Sequence, residues 1–400
     1  MNKNFSLLLV GQAIATIGDV LYMVAVISKI FVLTGSAAVS SFVPFTVTLS
    51  MFSSNLLTPL LIGKVNLKWL IAGSQVGKTV LIVVLSFVLI GVTVSNFYWI
   101  FLIIALIAFL DGCANPIKQT LIPHYVELEH LVQANGLSET TTQVIQTVMW
   151  FVGSFLLLVL GSLHLIMGVA GLFGLSSILL GFLDNVSHQT NRTVGTFEPL
   201  KEGWKTLVQI PLLKTVALME LLENMAGTVW MAAILLVFVR EALHVDQKWW
   251  GFINGAFFLG LIFGSVYCVR YSSFVEKKIS TFILVGSTVS FVVTLMFSLN
   301  KFPMIALMLS FCVGIFGQLK TIPQQTAIQT SVPKEQLSTV YTSLSAIGTG
   351  AFGVSSLAMG FLSDWLGIRV VFAISALLLA AVSRIVLKNK SLFVRKVAQE

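Results

Sequence analysis

Five ionisable side chains lie inside long apolar runs of the chain: Asp19, Lys78, Asp111, Glu220 and Glu223. A charge in hydrocarbon costs roughly 2.5–3.5 kcal/mol on insertion scales unless it is paired or faces water. Chains therefore keep such residues where they pair, bind or titrate. A carboxyl held away from water favours its neutral form, so it holds a proton at pH values where a solvated acid is ionised. The four acids are candidates for proton coupling or for attracting a cation. Lys78 is the candidate charge partner, with Asp111 as its mate. Glu220 and Glu223 are i,i+3 on one helical face, which directs both toward protein or water. Structural readings stand beside these: Asp19 pins a helix bend next to Gly18, and Lys78 with Asp111 satisfy only each other.

A second pattern is the polar and aromatic series Glu139, Gln143, Gln146 and Trp150. Its i, i+4, i+7, i+11 spacing places all four on one face of a helix. Lining a cavity and hydrogen bonding between helices are both open to it.

Catalytic chemistry finds little purchase. The five histidines fall near the ends of apolar runs, with no spacing like His-Glu-x-x-His. Cys113, Cys268 and Cys312 form no paired framework and no metal spacing. No nucleophile–base pair is legible, so no catalytic residue, metal site or cofactor is expected. The run from Ala72 to Thr79 resembles a relaxed phosphate-binding loop, but such a loop needs a strand before it and a soluble helix after it. Here it continues into Val-Leu-Ile-Val-Val-Leu, which argues against nucleotide binding. Asn191-Arg192-Thr193 fits a glycosylation sequon but falls in a loop expected inside the cell.

The elements that position these residues follow from composition. Only 40 of 400 residues are charged and 56% are hydrophobic, where a soluble protein of this length carries roughly 100 charges. With a mean hydropathy of +0.95, a soluble enzyme and a disordered chain are both excluded. The fold class expected is an all-α membrane protein of twelve transmembrane helices. The spans read as 5–33, 37–63, 69–91, 97–122, 135–161, 163–183, 212–239, 249–270, 279–299, 303–328, 337–362 and 367–388. Turns fall at Thr34-Gly35-Ser36, Ser95-Asn96, Gly161-Ser162, Asn300-Lys301 and Asp364 to Gly367. The first run is too long for a signal peptide. An amphipathic surface helix is expected from Thr196 to Leu207. It lies in the one sizeable loop, 184–211, which separates an N-terminal six-helix bundle, 1–183, from a C-terminal one, 212–400.

With the N-terminus inside, 18 of the 24 basic residues fall at cytoplasmic ends, Lys320 among them. Lys29, Lys78, Arg240, Lys248, Lys301 and Arg369 are the exceptions. The positive-inside rule then places both termini in the cytoplasm of a multi-pass plasma-membrane protein. The net charge of +8 is spread between apolar runs rather than gathered on one face, which argues against nucleic acid. The expected partners are the lipid bilayer, protons and a small molecule, with the protein monomeric.

The two halves echo each other. Pro116, Thr120, Val126 and Leu131 leave span 4 as Pro323, Thr326, Val332 and Leu337 leave span 10, at an offset of about half the chain. This supports two parallel pseudo-repeats around a central cavity near the midplane. Two six-span halves, a short central loop and this length resemble the major facilitator superfamily. Span 1 carries Gly11-Gln12, Gly18-Asp19 and Thr34-Gly35-Ser36-Ala37, and span 4 exits through Pro116, Pro123, Leu131, Ala134 and Asn135. These series are similar to the twelve-span efflux branch that includes macrolide and siderophore exporters. The chain departs from the superfamily pattern at three points. The loop between spans 2 and 3, Gly63 to Lys68, lacks its acid. Ile103 to Phe109 holds no arginine. The Gly-Pro signature of span 5 is reduced to Gly153-Ser154.

The resemblance implies that spans 1, 4 and 7 line the cavity and that span 3 is peripheral. Gln12, Asn224, Trp230 and Gln318 are lining residues by family position. It further implies secondary active export of a small amphipathic or cationic organic compound by proton antiport, with alternating access. Two other functions stay open: a transport-inactive scaffold or sensor of the same fold, and a solute importer.

Overall fold

The computed structural model describes residues 2–62, 64–186, 198–230 and 232–394. Gly63, the sequon at 191–193 and the first two residues of the expected surface helix lie outside them. The described residues are helical almost throughout. The chain runs through α1 (Lys3–Thr34), α2 (Ala37–Leu57), α3 (Leu67–Ile90), α4 (Tyr98–Tyr125) and α5 (Leu131–Gly181). It continues with α6 (Glu198–Gln209), α7 (Pro211–Gly227), α8 (Ala232–Val237), α9 (Lys248–Arg270) and α10 (Ser272–Lys277). It ends in α11 (Ile279–Leu299), α12 (Pro303–Ser331), α13 (Lys334–Leu366) and α14 (Ile368–Lys388). A wide turn at Phe238–Ala242 prolongs α8.

Among the described residues nine helices are long and apolar enough to cross a membrane, or ten if the bent pair Pro211–Trp230 and Ile234–Ala242 is one span. One of the nine contains α5, whose 51 residues would reach about 75 Å if straight, over twice a hydrocarbon core of about 30 Å. It breaks at Gly161, where φ is 74° and ψ 166°, a backbone state that a side chain disfavours. The second arm then runs antiparallel to α1: Phe173 lies at Gly18, and Ser176 Oγ donates to the Gly11 carbonyl at 2.7 Å. Counting the two arms separately, and adding α2 with its 21 residues, matches the sequence-expected spans one for one.

The turns are built as their residues dictate. Gly35 ends α1 in the left-handed region at φ 63°, its N–H bonding to the Phe31 carbonyl. Ser36 caps α2 by accepting from Val39 N. Asn96 accepts from Thr93 N at 2.6 Å, and Asn300 accepts from Phe302 N at 2.9 Å. Of the expected amphipathic helix, the described part is Glu198–Gln209.

The chain divides into two compact units. One holds Met1–Val126, Val144–Trp204 and Lys334–Ala346; the other holds Glu127–Gln143, Lys205–Pro333 and Ile347–Glu400. The first unit packs Leu21, Ile30, Ile82, Ile104, Val169 and Phe173 into one core, drawn from α1, α3, α4 and the second arm of α5. The second unit centres on aromatic rings. Phe297 stands 4.7 Å from Phe238, 4.8 Å from Trp230 and 5.1 Å from Phe372. There α9 and α12 touch backbone to backbone: a methyl group at Gly314 would lie 2.3 Å from the Phe257 carbonyl, and one at Gly260 would lie 2.2 Å from that of Phe311. Small residues permit this approach, which dispersion then stabilises in the absence of a hydrophobic driving force.

Candidate functional site

Within the first unit, α1, α3 and α4 bring three charges together. Lys78 Nζ lies 2.6 Å from Asp19 Oδ1 and 2.6 Å from Asp111 Oδ1. The lysine is 1% exposed, whereas the two carboxylates keep a partly open side. Nζ also sits 4.5 Å from the Phe173 ring centroid, so a ring face completes the lysine's surroundings. Gly18, next to Asp19, makes room for that ring: a methyl group there would lie 2.4 Å from Phe173 Cε1. Asp19 thus meets a lysine on another helix. Lys78 engages both acids, not Asp111 alone. Span 3, peripheral by resemblance, supplies the base that joins spans 1 and 4.

Within the second unit, α7 and α12 build a corresponding cluster. Glu223 and Lys320 form a largely buried ion pair, each side chain only slightly exposed. One turn earlier on α7, Glu220 Oε1 accepts from Gln324 Nε2 at 3.1 Å, and its Oε2 accepts from Asn224 Nδ2 at 3.1 Å. Glu220 therefore has neutral amide donors, while Glu223 holds the cation. The i,i+3 spacing puts Glu220 and Glu223 on one helical face, and Asn224 is named by family position. Both signals missed Lys320, which the charge map assigned to a cytoplasmic end. The structure corrects this: Lys320 is inside α12, eleven residues before its end at Ser331, and its side chain is 12% exposed. The available signal was its position in an apolar helix opposite an unmatched acid.

The two clusters share a charge balance and differ in wiring. Each sets two carboxyls against one ammonium. Gln318 stands 207 residues after Asp111, the repeat offset at the prolines, and so replaces an acid by an amide. The base meanwhile moves from the third span of its half to the fourth. With Lys320 added to Lys78, two ammoniums stand against the four acids. Two charged groups taken from water cost several kcal/mol each unless well paired, so one unmatched carboxyl per cluster is a strong constraint on what else it binds.

The remaining expected residues are distributed more widely. Glu139 Oε1 accepts from Gln325 Nε2 at 3.4 Å. One turn earlier the buried Asn135 donates to Gln329 Oε1 at 2.7 Å and to Thr326 Oγ1 at 3.0 Å, an anchoring contact the polar series did not include. Gln143 and Gln146 are half-buried, and Trp150 is 43% exposed. Gln12 is half-buried, with its carbonyl accepting from Thr16 Oγ1. Gln318 is 4% exposed, and its Oε1 finds no hydrogen-bond partner among the described residues. Trp230 stacks on Phe257 and edges Phe297 and Phe372, so its ring belongs to the aromatic packing of α9, α11 and α14.

Residues 216–390 match the profile of the Major Facilitator Superfamily. The chain is 30% identical over 386 residues to YfmI of Bacillus subtilis (strain 168), an uncharacterized MFS-type transporter, covering 95% of this chain and 94% of that one. YjbB of the same organism, also an uncharacterized MFS-type transporter, is 28% identical over 381 residues, 94% of this chain and 93% of that one. Two solved structures share the fold. The human organic anion transporter MFSD10 has a TM-score of 0.78 at 9% identity, with 96% of this chain and 99% of that one covered. A bacterial homologue of the iron transporter ferroportin has a TM-score of 0.75 at 14% identity, covering 96% and 98%. Full-length similarity to a 30%-identical relative and a shared all-helical fold together make this chain a member of the major facilitator superfamily, a multi-pass membrane transporter and not an enzyme.

Proposed function

We propose that the protein is a proton-coupled exporter of a small amphipathic or cationic organic compound, residing in the cell membrane with both termini in the cytoplasm. Each six-span half, 1–183 and 212–400, holds one cluster of two carboxyls and one ammonium, and this is the observation that carries the proposal. A cluster with one unmatched carboxyl becomes neutral by taking up one proton or by pairing with one cation, and those two occupants exclude each other. That competition is the coupling an antiporter requires.

In the first half, Asp19 and Asp111 share Lys78, so either carboxyl loses its partner when the lysine leans to the other. In the second half Lys320 is committed to Glu223. Protonation therefore falls on Glu220, which has the neutral Asn224 and Gln324 amides beside it, one on each oxygen, and no cation of its own. Inward flow of one proton at about −150 mV supplies roughly 3.5 kcal/mol, enough for a gradient of about 300-fold. The span 1 series, similar to the efflux branch, supports the outward direction.

The test is transport in vesicles of the reconstituted protein. A lipophilic cation added outside acid-loaded vesicles should accumulate while protons leave, and a protonophore, by collapsing the proton gradient, should abolish the accumulation. Accumulation that survives the protonophore, or a cation flux with no proton movement, would overturn the proposal.

A further inference from the structure

The start of α7 and the end of α14 flank a groove of about 520 Å³. Lys214, Arg384 and Lys388 line it, and no acidic side chain does. All three cations are exposed, and among the described residues none has a carboxylate within ion-pair distance. Three like charges around one hollow repel each other, so the groove is incomplete until an anion enters it. Beside the cations the lining is apolar, at Leu218, Ala381 and Ile385. Leu218 is 43% exposed and Leu387, on the neighbouring face of α14, is 62% exposed, as befits surfaces in contact with lipid.

The first half closes the corresponding place differently. Pro211, which begins α7, is 207 residues after Asn4 at the start of α1. Asn4 Nδ2 donates to Asp184 Oδ2 at 2.6 Å, and Asp184 N donates to Asn4 Oδ1 at 3.1 Å. There the helix ends are joined directly by an uncharged amide and an acid. In the second half the same junction carries cations on both helices and is left for another molecule to bridge.

We propose that this groove binds an anionic phospholipid, its phosphate among Lys214, Arg384 and Lys388 and its acyl chains along Leu218, Ala381 and Ile385. A headgroup alone would fit the cations and leave the apolar floor uncovered. Basic hollows between spans at the membrane surface are suited to such headgroups. The inference depends on the chain's embedding in a bilayer and not on what it transports.

The experiment counts lipid retained by delipidated protein in native mass spectrometry. The lipids are dioleoyl phosphatidylglycerol and dioleoyl phosphatidylcholine, and soluble glycerol phosphate is the competitor. Wild-type protein should retain one phosphatidylglycerol in preference to phosphatidylcholine, and glycerol phosphate should not displace it. A basic side chain near an anionic headgroup contributes about a fivefold factor. The triple variant K214Q/R384Q/K388Q should therefore lose about a hundredfold in retention. The control K64Q/K277Q/K334Q, which removes three exposed cations elsewhere, should retain the lipid. If the triple variant does not fold, the three single variants give the same readout at about fivefold each. Retention unchanged in these variants, equal retention of both lipids by wild type, or displacement by glycerol phosphate at equal concentration would each overturn the inference.

Discussion

At the residue scale, the two clusters make opposite demands on their acids and their bases. Lys78 bonds to two carboxylates at 2.6 Å each, so K78M leaves both half-buried acids without a cation. Breaking a buried pair in this way costs about 3–5 kcal/mol, and the membrane abundance of K78M should fall severely. The triple change K78M/D19L/D111L should restore it, because an apolar trio removes the unpaired charges. D111N is a different case. Lys78 still holds Asp19, so abundance should stay near wild type while proton-driven transport falls steeply. Quantifying both by immunoblot and vesicle uptake checks the pair of predictions. Full transport in D111N at normal abundance would remove Asp111 from the coupling. In the second half, K320M should lose abundance and K320M/E223L should recover it. E220Q should keep abundance, since its amide oxygen can accept from Asn224 and its NH2 can donate to Gln324 once that amide flips to present its unpartnered Oε1, and should lose coupling.

The element scale concerns how helices are held at the ends and turns that bring those charges into register. Arg369 was an exception to the expected charge distribution, and its contacts explain why. Its guanidinium donates to the Ser298 and Asn300 carbonyls at 2.8 Å each and to the Ala242 carbonyl at 2.8 Å. It thereby ties the start of α14 to the end of α11 and to the turn after α8, satisfying carbonyls that helix ends leave unpaired. A lysine is a point charge on a flexible stem and cannot reproduce the fork. R369K should therefore lose roughly 1.5–3 kcal/mol of stability, read as earlier aggregation on heating in detergent, with transport per folded molecule little changed. Gly161 is the second such point. At φ 74° any side chain is strained, and G161V should lower abundance by disturbing the break that lets α5 serve as two spans.

For the whole molecule, the prediction is topological. Setting Lys320 aside as a cluster residue, the basic residues at the expected inner ends still outnumber the exceptions by a wide margin. A reporter fused after Glu400 should read as cytoplasmic, and one inserted in the turn between Ala242 and Lys248 as external. Opposite readings at the two sites would reverse the assigned orientation.

What the sequence by itself determined is the part of the architecture that one segment settles alone. Span lengths follow from runs of apolar residues, because a bilayer core of about 30 Å demands about 20 of them. Turns follow from Gly35, Gly161, Asn96 and Asn300, because backbone state and capping are local. The acids at 19, 111, 220 and 223 stand out for the same reason: a charge in an apolar run is visible without knowing its neighbours. Only the tertiary structure decided who meets whom. Asp19 and Lys78 are 59 residues apart, Lys78 and Asp111 33, and Glu223 and Lys320 97. Each meeting depends on the rotation of two helices about their axes, which close packing sets: Phe173 against Gly18 in one unit, Gly260 against the α12 backbone in the other. Lys320 shows the limit most clearly. Hydropathy and charge read it as an inner-end cation, and its pairing with Glu223 emerged only when α7 and α12 were placed side by side, because the cost of a buried charge is relieved by a partner that no single segment contains.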